Sequence, residues 1–139
     1  MQFSNIFAVA AALVGATQAT YVSFDTGYDN AARPLTDVSC SDGPNGLIPR
    51  YNWHTQGDAL RYAYIGGVQG VTWNSPLCGT CYKLEYGGRS INVIAVDAAY
   101  NGGFNIGLNG LNALTNGNGV AWGHVDAVAT ALPAGSCGY

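Results

Sequence analysis

The chain has 139 residues, of which 48% are hydrophobic and only 9% are charged, and its formal net charge is −3 at pH 7. This length suits one domain, and the five Lys and Arg residues form no cluster, so the charge pattern argues against nucleic acid and against anionic membrane surfaces. A sparsely charged surface rich in amides and hydroxyls suits neutral, hydroxylated partners such as sugars, although an ordinary extracellular surface fits equally well.

Residues 1–19 have the pattern of a secretory signal peptide. A short polar start is followed by an uninterrupted run of small apolar residues, Ile6 to Ala16, and then by small residues around the expected cleavage position. The run is too short to span a bilayer. We predict cleavage after Ala19, with cleavage after Ala16 or Gln18 as close alternatives.

The rest of the chain, residues 20–139, is predicted to be one secreted domain stapled by disulfides. It holds all four cysteines, which are Cys40, Cys78, Cys81 and Cys137. An even number of cysteines in a short secreted chain indicates two bridges, and spacing alone does not choose among the three possible pairings. No zinc ribbon is predicted, because two of the cysteines stand far apart and alone.

Short predicted strands separated by glycine-rich turns indicate a β-barrel or a β-sandwich. The first half of the chain has predicted strands at Tyr21–Phe24, Thr36–Ser39 and Val68–Thr72. A short helical turn is predicted near Leu47–Trp53.

The second half begins with the clearest element, a β-hairpin. Cys81–Tyr86 alternates between two faces, Gly87-Gly88 can take positive φ at both turn positions, and Ser90–Val96 becomes apolar on both faces. A strand covered on both faces belongs in a barrel or at the centre of a sheet.

A helix and a last strand complete the prediction. The helix runs from Ile106 to about Thr115 with Asn105 as its N-cap, and leucines recur every three residues along it. The last strand is predicted at Val125–Ala131.

Asp97 is the first candidate for a functional role. It ends the most apolar strand and precedes the loop sequence AAYNGG. A carboxylate at the open end of a barrel lies where pockets form, and it could act there as a general acid. The alternative is that it only ties down the following loop by accepting backbone N–H groups.

A glycosidase normally needs a second carboxylate, and no acidic residue forms a local pair with Asp97. Asp25 and Asp29 are the acids best placed to arrive through folding. Asn105 can hydrogen-bond a sugar hydroxyl but cannot transfer protons, so the pattern favours binding over cleavage. The sequence has no G-x-S-x-G motif and no two-His metal motif, so neither a serine hydrolase nor a metal site is predicted.

Aromatic side chains could supply flat faces for sugar rings, although most aromatics in a small domain belong to the core. Tyr28 and Tyr100 lie in loops rich in Gly, Asn and Asp and are the better candidates. Trp73, beside Asn74, could face either way.

Seven motifs follow one another along nearly the whole of residues 20–139. They are VSFDTGYD (Val22–Asp29), SCSDGPNGLI (Ser39–Ile48), YIGGVQGV (Tyr64–Val71), WNSPLCGTCYKL (Trp73–Leu84), INVIAVD (Ile91–Asp97), GFNIGLNGLNALT (Gly103–Thr115) and SCGY (Ser136–Tyr139). With these motifs the sequence resembles the cerato-platanin family of small secreted fungal proteins.

The resemblance implies a mainly β fold with short helices, a six-stranded double-ψ β-barrel closed by the pairings Cys40–Cys78 and Cys81–Cys137. It also implies a non-catalytic protein found in the culture medium and cell wall. Members of the family bind chitin oligomers, loosen cellulose without hydrolysing it, associate at air–water interfaces and elicit plant defence.

The resemblance also implies a position for the binding groove. The same barrel occurs in expansins and in inverting cellulases, where a strand-end Asp and a helix-start Asp shape the cleft. By position, Asp97 and Asn105 would line a groove here, with Asp25, Tyr28 and Asn74 as neighbours. The amide in place of the second carboxylate undermines hydrolysis.

We therefore expect a secreted, non-enzymatic protein of the cell wall and extracellular space that binds chitin or cellulose oligosaccharides, loosens wall polysaccharide and elicits plant defence through a plant-surface receptor. The alternatives are a weak glycoside hydrolase with Asp97 as its acid, and a surface-active coat protein of the fungal wall. We expect a monomer or weak dimer, with no nucleic acid, membrane insertion, cofactor or metal.

Overall fold

Six β-strands close into a barrel in a computed structural model, which describes residues 19–139. The strands are β1 (Ala19–Phe24), β2 (Tyr64–Val68), β3 (Cys81–Tyr86), β4 (Arg89–Ala98), β5 (Phe104–Ile106) and β6 (His124–Leu132). Their order around the barrel is β1-β5-β2-β4-β3-β6. This closed barrel confirms the predicted fold class. The predicted signal peptide, apart from Ala19, lies outside the described residues.

The barrel contains both parallel and antiparallel pairs of neighbouring strands. β1 pairs with β5 and β2 pairs with β4 in parallel, and the other four pairs are antiparallel. In β4, the segment Val93–Val96 is fully buried. The apolar run that predicted a strand covered on both faces therefore lies where expected.

The β3–β4 hairpin follows the sequence pattern closely. Its register runs from Cys81 opposite Ile94 to Tyr86 opposite Arg89. Gly87 and Gly88 form the turn with φ values of 56° and 78°. Two consecutive positive φ angles are what a two-residue hairpin needs, and glycine adopts them without a steric penalty.

β2 was not predicted, because its two glycines resemble a turn. Gly66 and Gly67 instead lie inside the strand, where a Cβ atom on Gly66 would approach the Asn105 carbonyl oxygen to 2.4 Å and one on Gly67 would approach the Ala98 carbonyl oxygen to 2.3 Å. Glycine is required here by the close approach of neighbouring strands. The strand predicted at Val68–Thr72 is correspondingly wrong, since β2 ends at Val68 and a turn follows.

The strand predicted at Thr36–Ser39 is also wrong, because a 3₁₀ helix at Leu35–Asp37 and a bend occupy that segment. Further 3₁₀ helices lie at Thr26–Asp29 and Ala134–Cys137. The α-helices are short, and they are α1 (Leu47–Tyr51), α2 (Gln56–Leu60), α3 (Leu108–Thr115) and α4 (Gly119–Trp122). The helical turn predicted near Leu47–Trp53 corresponds to α1.

The predicted helix from Ile106 begins later than expected, and its predicted N-cap is wrong. Asn105 and Ile106 belong to β5, and Gly107 is the N-cap residue of α3. Gly107 has no side chain to bond the free N–H groups of the first turn. The carboxylate of Asp29 does so from another part of the chain, accepting hydrogen bonds from Leu108 N at 2.9 Å and Asn109 N at 3.2 Å.

Both disulfides have the pairing that the family resemblance implied. Cys40 bonds Cys78 and Cys81 bonds Cys137. All four cysteines are buried, so the bridges are part of the core. The longest helix within residues 19–139 is α3, with eight residues, far fewer than a membrane-spanning helix needs.

Candidate functional site

Four residues lie in register across four adjacent strands of the barrel wall. Ser23 of β1 is opposite Asn105 of β5, Asn105 is opposite Gly67 of β2, and Gly67 is opposite Asp97 of β4. The neighbouring residues Val22 and Val96 are fully buried in the barrel core. Ser23 and Asp97 are both partly exposed, and they line the same cleft.

The three polar members of this row, Ser23, Asn105 and Asp97, form the floor of a cleft of about 210 Å³. Asp25 and Tyr28 form one wall, and the loop that follows β4, with Tyr100 and Asn101, forms the other. Tyr100 is 91% exposed, so it stands at the rim. Gly67 itself is buried beneath the backbone of Ala98, and the side chains of Asn105 and Asp97 line the cleft on either side of it.

Three donors hold the carboxylate of Asp97. The Tyr28 hydroxyl donates to Oδ2 at 2.7 Å, and the backbone N–H groups of Ser39 and Ala98 both donate to Oδ1 at 2.9 Å. Asp97 therefore ties down backbone and lines the cleft at the same time. A carboxylate has about four lone-pair positions, so one acceptor position remains for a ligand.

Tyr28 fixes the orientation of that carboxylate. Its side chain is only 4% exposed, on the 3₁₀ helix beside the cleft. Burial, and then the hydrogen bond to Asp97, raise the pKa of the Tyr28 phenol well above its ordinary value. The phenol consequently remains a donor to Asp97 throughout the neutral pH range.

Ser23 and Asn105 form a second polar pair in the row. The Ser23 hydroxyl donates to Asn105 Oδ1 at 3.1 Å. Within residues 19–139, Nδ2 of Asn105 has no acceptor, so its two N–H groups are available to a ligand. Ser23 was missed in the sequence, and the only signal for it was a small polar residue inside an otherwise apolar-aromatic strand.

The remaining predicted site residues divide between the cleft and other places. Asp25 lines the cleft, and its Oδ1 accepts from Gly27 N at 2.8 Å. Asn74 does not line the cleft, because its Oδ1 accepts from Asn45 N at 2.9 Å and thereby joins two loops. Asp29 is bound to the first turn of α3. The structure thus brings together Asp97, Asn105, Tyr28 and Asp25.

The cleft offers hydrogen-bond acceptors, amide donors and an aromatic side chain at its rim. No group of three or more His, Cys, Asp or Glu residues within residues 19–139 is placed to hold a metal ion. Asp25 is the only other acidic residue that lines the cleft with Asp97 in this part of the chain. Such a set of groups can bind a neutral, hydroxylated ligand through hydrogen bonds and ring stacking.

The fold and the cleft define a small disulfide-bonded barrel protein with a polar cleft at its surface. The family model described as Cerato-platanin matches residues 20–139. The chain belongs to the cerato-platanin family.

The chain is similar to curated and structurally solved proteins over most of its length. The heat-stable 19 kDa antigen of Coccidioides posadasii (strain RMSCC 757 / Silveira) is 40% identical over 146 residues, covering 99% of each chain. The crystal structure of cerato-platanin 3 from M. perniciosa is 39% identical with a TM-score of 0.80, over 86% of this chain and 98% of that one. The solution structure of the fungal elicitor Cerato-Platanin is 32% identical with a TM-score of 0.72, over 84% and 95%.

Proposed function

We propose that this protein is a secreted, non-catalytic module that binds oligosaccharides of the chitin or cellulose type in the cleft around Asp97. The observation that carries the proposal is the register row, which holds a fixed acceptor at Asp97 and a free amide donor at Asn105 on either side of a glycine. Sugar hydroxyls both donate and accept, so they can satisfy both groups at once.

The electrostatics of the cleft also suit a neutral ligand. The protein has few charges, and no Lys or Arg lines the cleft. The N-acetyl group of a chitin unit offers a carbonyl to the Asn105 amide, and its hydroxyls can donate to Asp97. The rim is open at Tyr100, so water has access and the affinity for a short oligomer should be modest.

Cleavage is disfavoured by what surrounds Asp97. Its three partners all donate hydrogen bonds, so it serves as an acceptor rather than as a proton donor. Glycoside hydrolysis needs a second carboxylate about 5 to 9.5 Å away, and the residue in register across the cleft is the amide Asn105. Asp29 is occupied at α3, which leaves Asp25 as the acid that a hydrolase would require.

Loosening of cell-wall polysaccharide would follow from the same hydrogen-bonding groups of the cleft. Hydrogen bonds from the cleft would compete with those between polymer chains, which weakens the polymer without breaking a glycosidic bond. Secretion, which the predicted signal peptide would direct, places the protein where such polymers occur.

Recognition by a host is a second candidate function, favoured by the similarity to a protein described as a fungal elicitor. In this case a plant-surface receptor would recognise the folded protein, and sugar binding need not be involved. Applying the Asp97→Asn variant to leaves distinguishes sugar binding from host recognition. A variant that no longer binds sugar and still elicits defence would show that the receptor recognises another surface of the protein.

The first experiment incubates the protein with insoluble chitin and with cellulose, and measures depletion from solution and released reducing ends in the same tubes. We expect depletion without reducing ends, and at least fivefold weaker depletion for Asp97→Asn. Glu85→Gln is the matched control, since it makes the same charge change on β3 at an exposed position outside the cleft. Release of reducing ends that is lost in Asp25→Asn would instead identify a hydrolase.

A further inference from the structure

Trp73 is an exposed tryptophan held in a fixed position. Its side chain is 58% exposed, although tryptophan is usually well buried. Its indole Nε1–H donates to Asp42 Oδ1 at 2.6 Å. The indole thus has its single polar group satisfied within the protein and still presents a large apolar surface to solvent.

The backbone beneath the indole leaves it little room to move. Gly43 lies against the ring, because a Cβ atom on Gly43 would stand 3.0 Å from Trp73 Cζ2. The neighbouring Asn74 has φ of 60° and is bonded to Asn45 through both its side chain and its carbonyl oxygen. A ring fixed in this way loses little entropy when a ligand stacks on it.

Asp42 supplies polar groups next to the indole. The hydrogen bond from Trp73 lowers the pKa of Asp42 below its ordinary value, so the carboxylate is ionised at neutral pH. The Ser41 hydroxyl also donates to Oδ1, at 3.4 Å, and Oδ2 makes no hydrogen bond to any of residues 19–139. An aromatic face with adjacent acceptors matches a pyranose ring, which has apolar C–H groups on its face and hydroxyls around its edge.

Two loops connect Trp73 to the cleft. Ser39, which donates to Asp97, is three residues before Asp42, so the two positions are at most about 11 Å apart along the backbone. The loop carrying Trp73 follows β2, and its first residue Gln69 is hydrogen-bonded to Gly103 in the loop after β4. The Cys40–Cys78 bridge joins the two loops that carry Asp42 and Trp73.

We propose that Trp73 is an outer subsite for the same oligosaccharide, with the indole stacking on a sugar ring beyond those held at Asp97 and Asn105. The inference rests on the proposed sugar-binding function and extends it. The occupant is a β-linked chain long enough to cover both places, because Asp97 and Trp73 are separated by a loop rather than adjacent. Short oligomers reach only the cleft.

Titration calorimetry with the disaccharide, tetrasaccharide and hexasaccharide of N-acetylglucosamine tests this proposal. For the unmodified protein we expect affinity to rise with oligomer length. Trp73→Ala should lower the affinity for the hexasaccharide about tenfold, which corresponds to about 1.4 kcal/mol. It should leave the affinity for the disaccharide unchanged. Trp73→Phe, which keeps an aromatic face, should retain part of the gain.

Trp122→Ala is the matched control, since Trp122 is 48% exposed but lies on α4 against Tyr86. It should behave as the unmodified protein at every length. The subsite is refuted, with the cleft intact, if Trp73→Ala follows the unmodified protein at all lengths while Asp97→Asn loses binding. An unmodified protein that binds none of the oligomers refutes both the cleft and the subsite.

Discussion

The hydroxyl of Tyr28 donates a 2.7 Å hydrogen bond to Oδ2 of Asp97, a residue 69 positions further along the chain. This contact joins a 3₁₀ helix to the penultimate residue of β4 and fixes one wall of the cleft to its floor. It therefore couples the stability of the fold to the geometry of the site.

Tyr28→Phe should weaken both properties. Loss of a hydrogen bond to a charged group costs about 1.5 to 3 kcal/mol of unfolding free energy. The Asp97 carboxylate would keep only the two backbone donors at Oδ1 and would be oriented less firmly, so we also expect several-fold weaker oligosaccharide binding. Urea unfolding and calorimetry measure the two effects. Tyr86→Phe is the control, because the Tyr86 hydroxyl has no hydrogen-bond partner among residues 19–139, and equal unfolding midpoints for the two variants would contradict the prediction.

Stability should fall in alkaline solution because the pKa values of two tyrosines are raised in the folded protein. Burial raises the pKa of Tyr139 from 10.0 to about 12, and the pKa of Tyr28 is raised further. A folded-state pKa above the unfolded one means that the unfolded chain releases its proton first, so stability is complete below pH 10 and is lost as pH rises toward the folded value.

Thermal unfolding measured between about pH 9 and pH 11.5 checks this expectation. Tyr139→Phe should flatten the decline, whereas Tyr100→Phe should not, because Tyr100 is at the exposed rim of the cleft. A flat stability profile for the unmodified protein over this range would show that the tyrosines do not control alkaline unfolding.

The two disulfides should contribute similarly to stability but differently to binding. Their sequence separations are 38 and 56, and the chain-entropy relation gives about 4 kcal/mol for each. Replacing Cys40 and Cys78 by Ala should also impair oligosaccharide binding, since this bridge secures the segment next to Ser39 and the loop of Trp73.

Replacing Cys81 and Cys137 by Ala serves as the comparison, because this bridge ties the start of β3 to the C-terminal 3₁₀ helix. Each double variant is assayed by denaturant unfolding and by oligosaccharide titration below its unfolding transition. Equal losses of affinity in the two variants would mean that the Cys40–Cys78 bridge has no specific connection to the site.

Gly67→Ala should destabilise the barrel wall at the cleft floor. The added Cβ atom would be 2.3 Å from the Ala98 carbonyl oxygen, and this backbone cannot move without disturbing the β2–β4 pairing. We expect a loss of about 2 to 3 kcal/mol in chemical denaturation. Gly135→Ala is the control, since nothing lies within 4 Å of a Cβ atom there. Similar midpoints for the two variants would show that the wall can absorb the methyl group.

Asp29→Ala should lower stability without affecting binding. The carboxylate satisfies two N–H groups at the start of α3, and loss of such a cap costs about 1 kcal/mol. Chitin depletion should stay unchanged at a temperature where the variant is folded. A selective loss of binding would mean that Asp29 contributes to the site through a conformation other than the one described.

Local sequence patterns were enough to predict the elements that depend mainly on residues close together in the chain. The β3–β4 hairpin followed from alternation and from Gly87-Gly88, and a short helical turn was expected where α1 lies. β2 and β5 were missed, because neighbouring strands decide where they lie. Gly66-Gly67 has the same local signal as a turn, and only the approach of β4 and β5 makes it a strand.

The candidate site was predicted in part for the same reason. Asp97 was identified from its position at the end of an apolar run, and Asn105, Asp25 and Tyr28 were also candidates from their residue types and positions. The family resemblance placed these residues around one groove and added Asn74. Ser23 has no local signal strong enough to distinguish it from other small polar residues. Asn74 was expected beside the cleft, but its left-handed backbone and its bonds to Asn45 make it part of a loop junction.

The register row has a consequence for how the protein folds. Ser23, Gly67, Asp97 and Asn105 lie on four strands, and each register pair in the row joins residues that are distant in sequence. Two of these three pairings are parallel. Such non-local pairings form slowly, because loop closure must precede them. A fragment or a partly folded chain would lack the complete site, so sugar would bind only after the β-barrel has closed. Bound ligand would then shift the folding equilibrium toward the closed barrel. Polymer-bound protein would therefore resist unfolding and proteolysis better than protein free in solution.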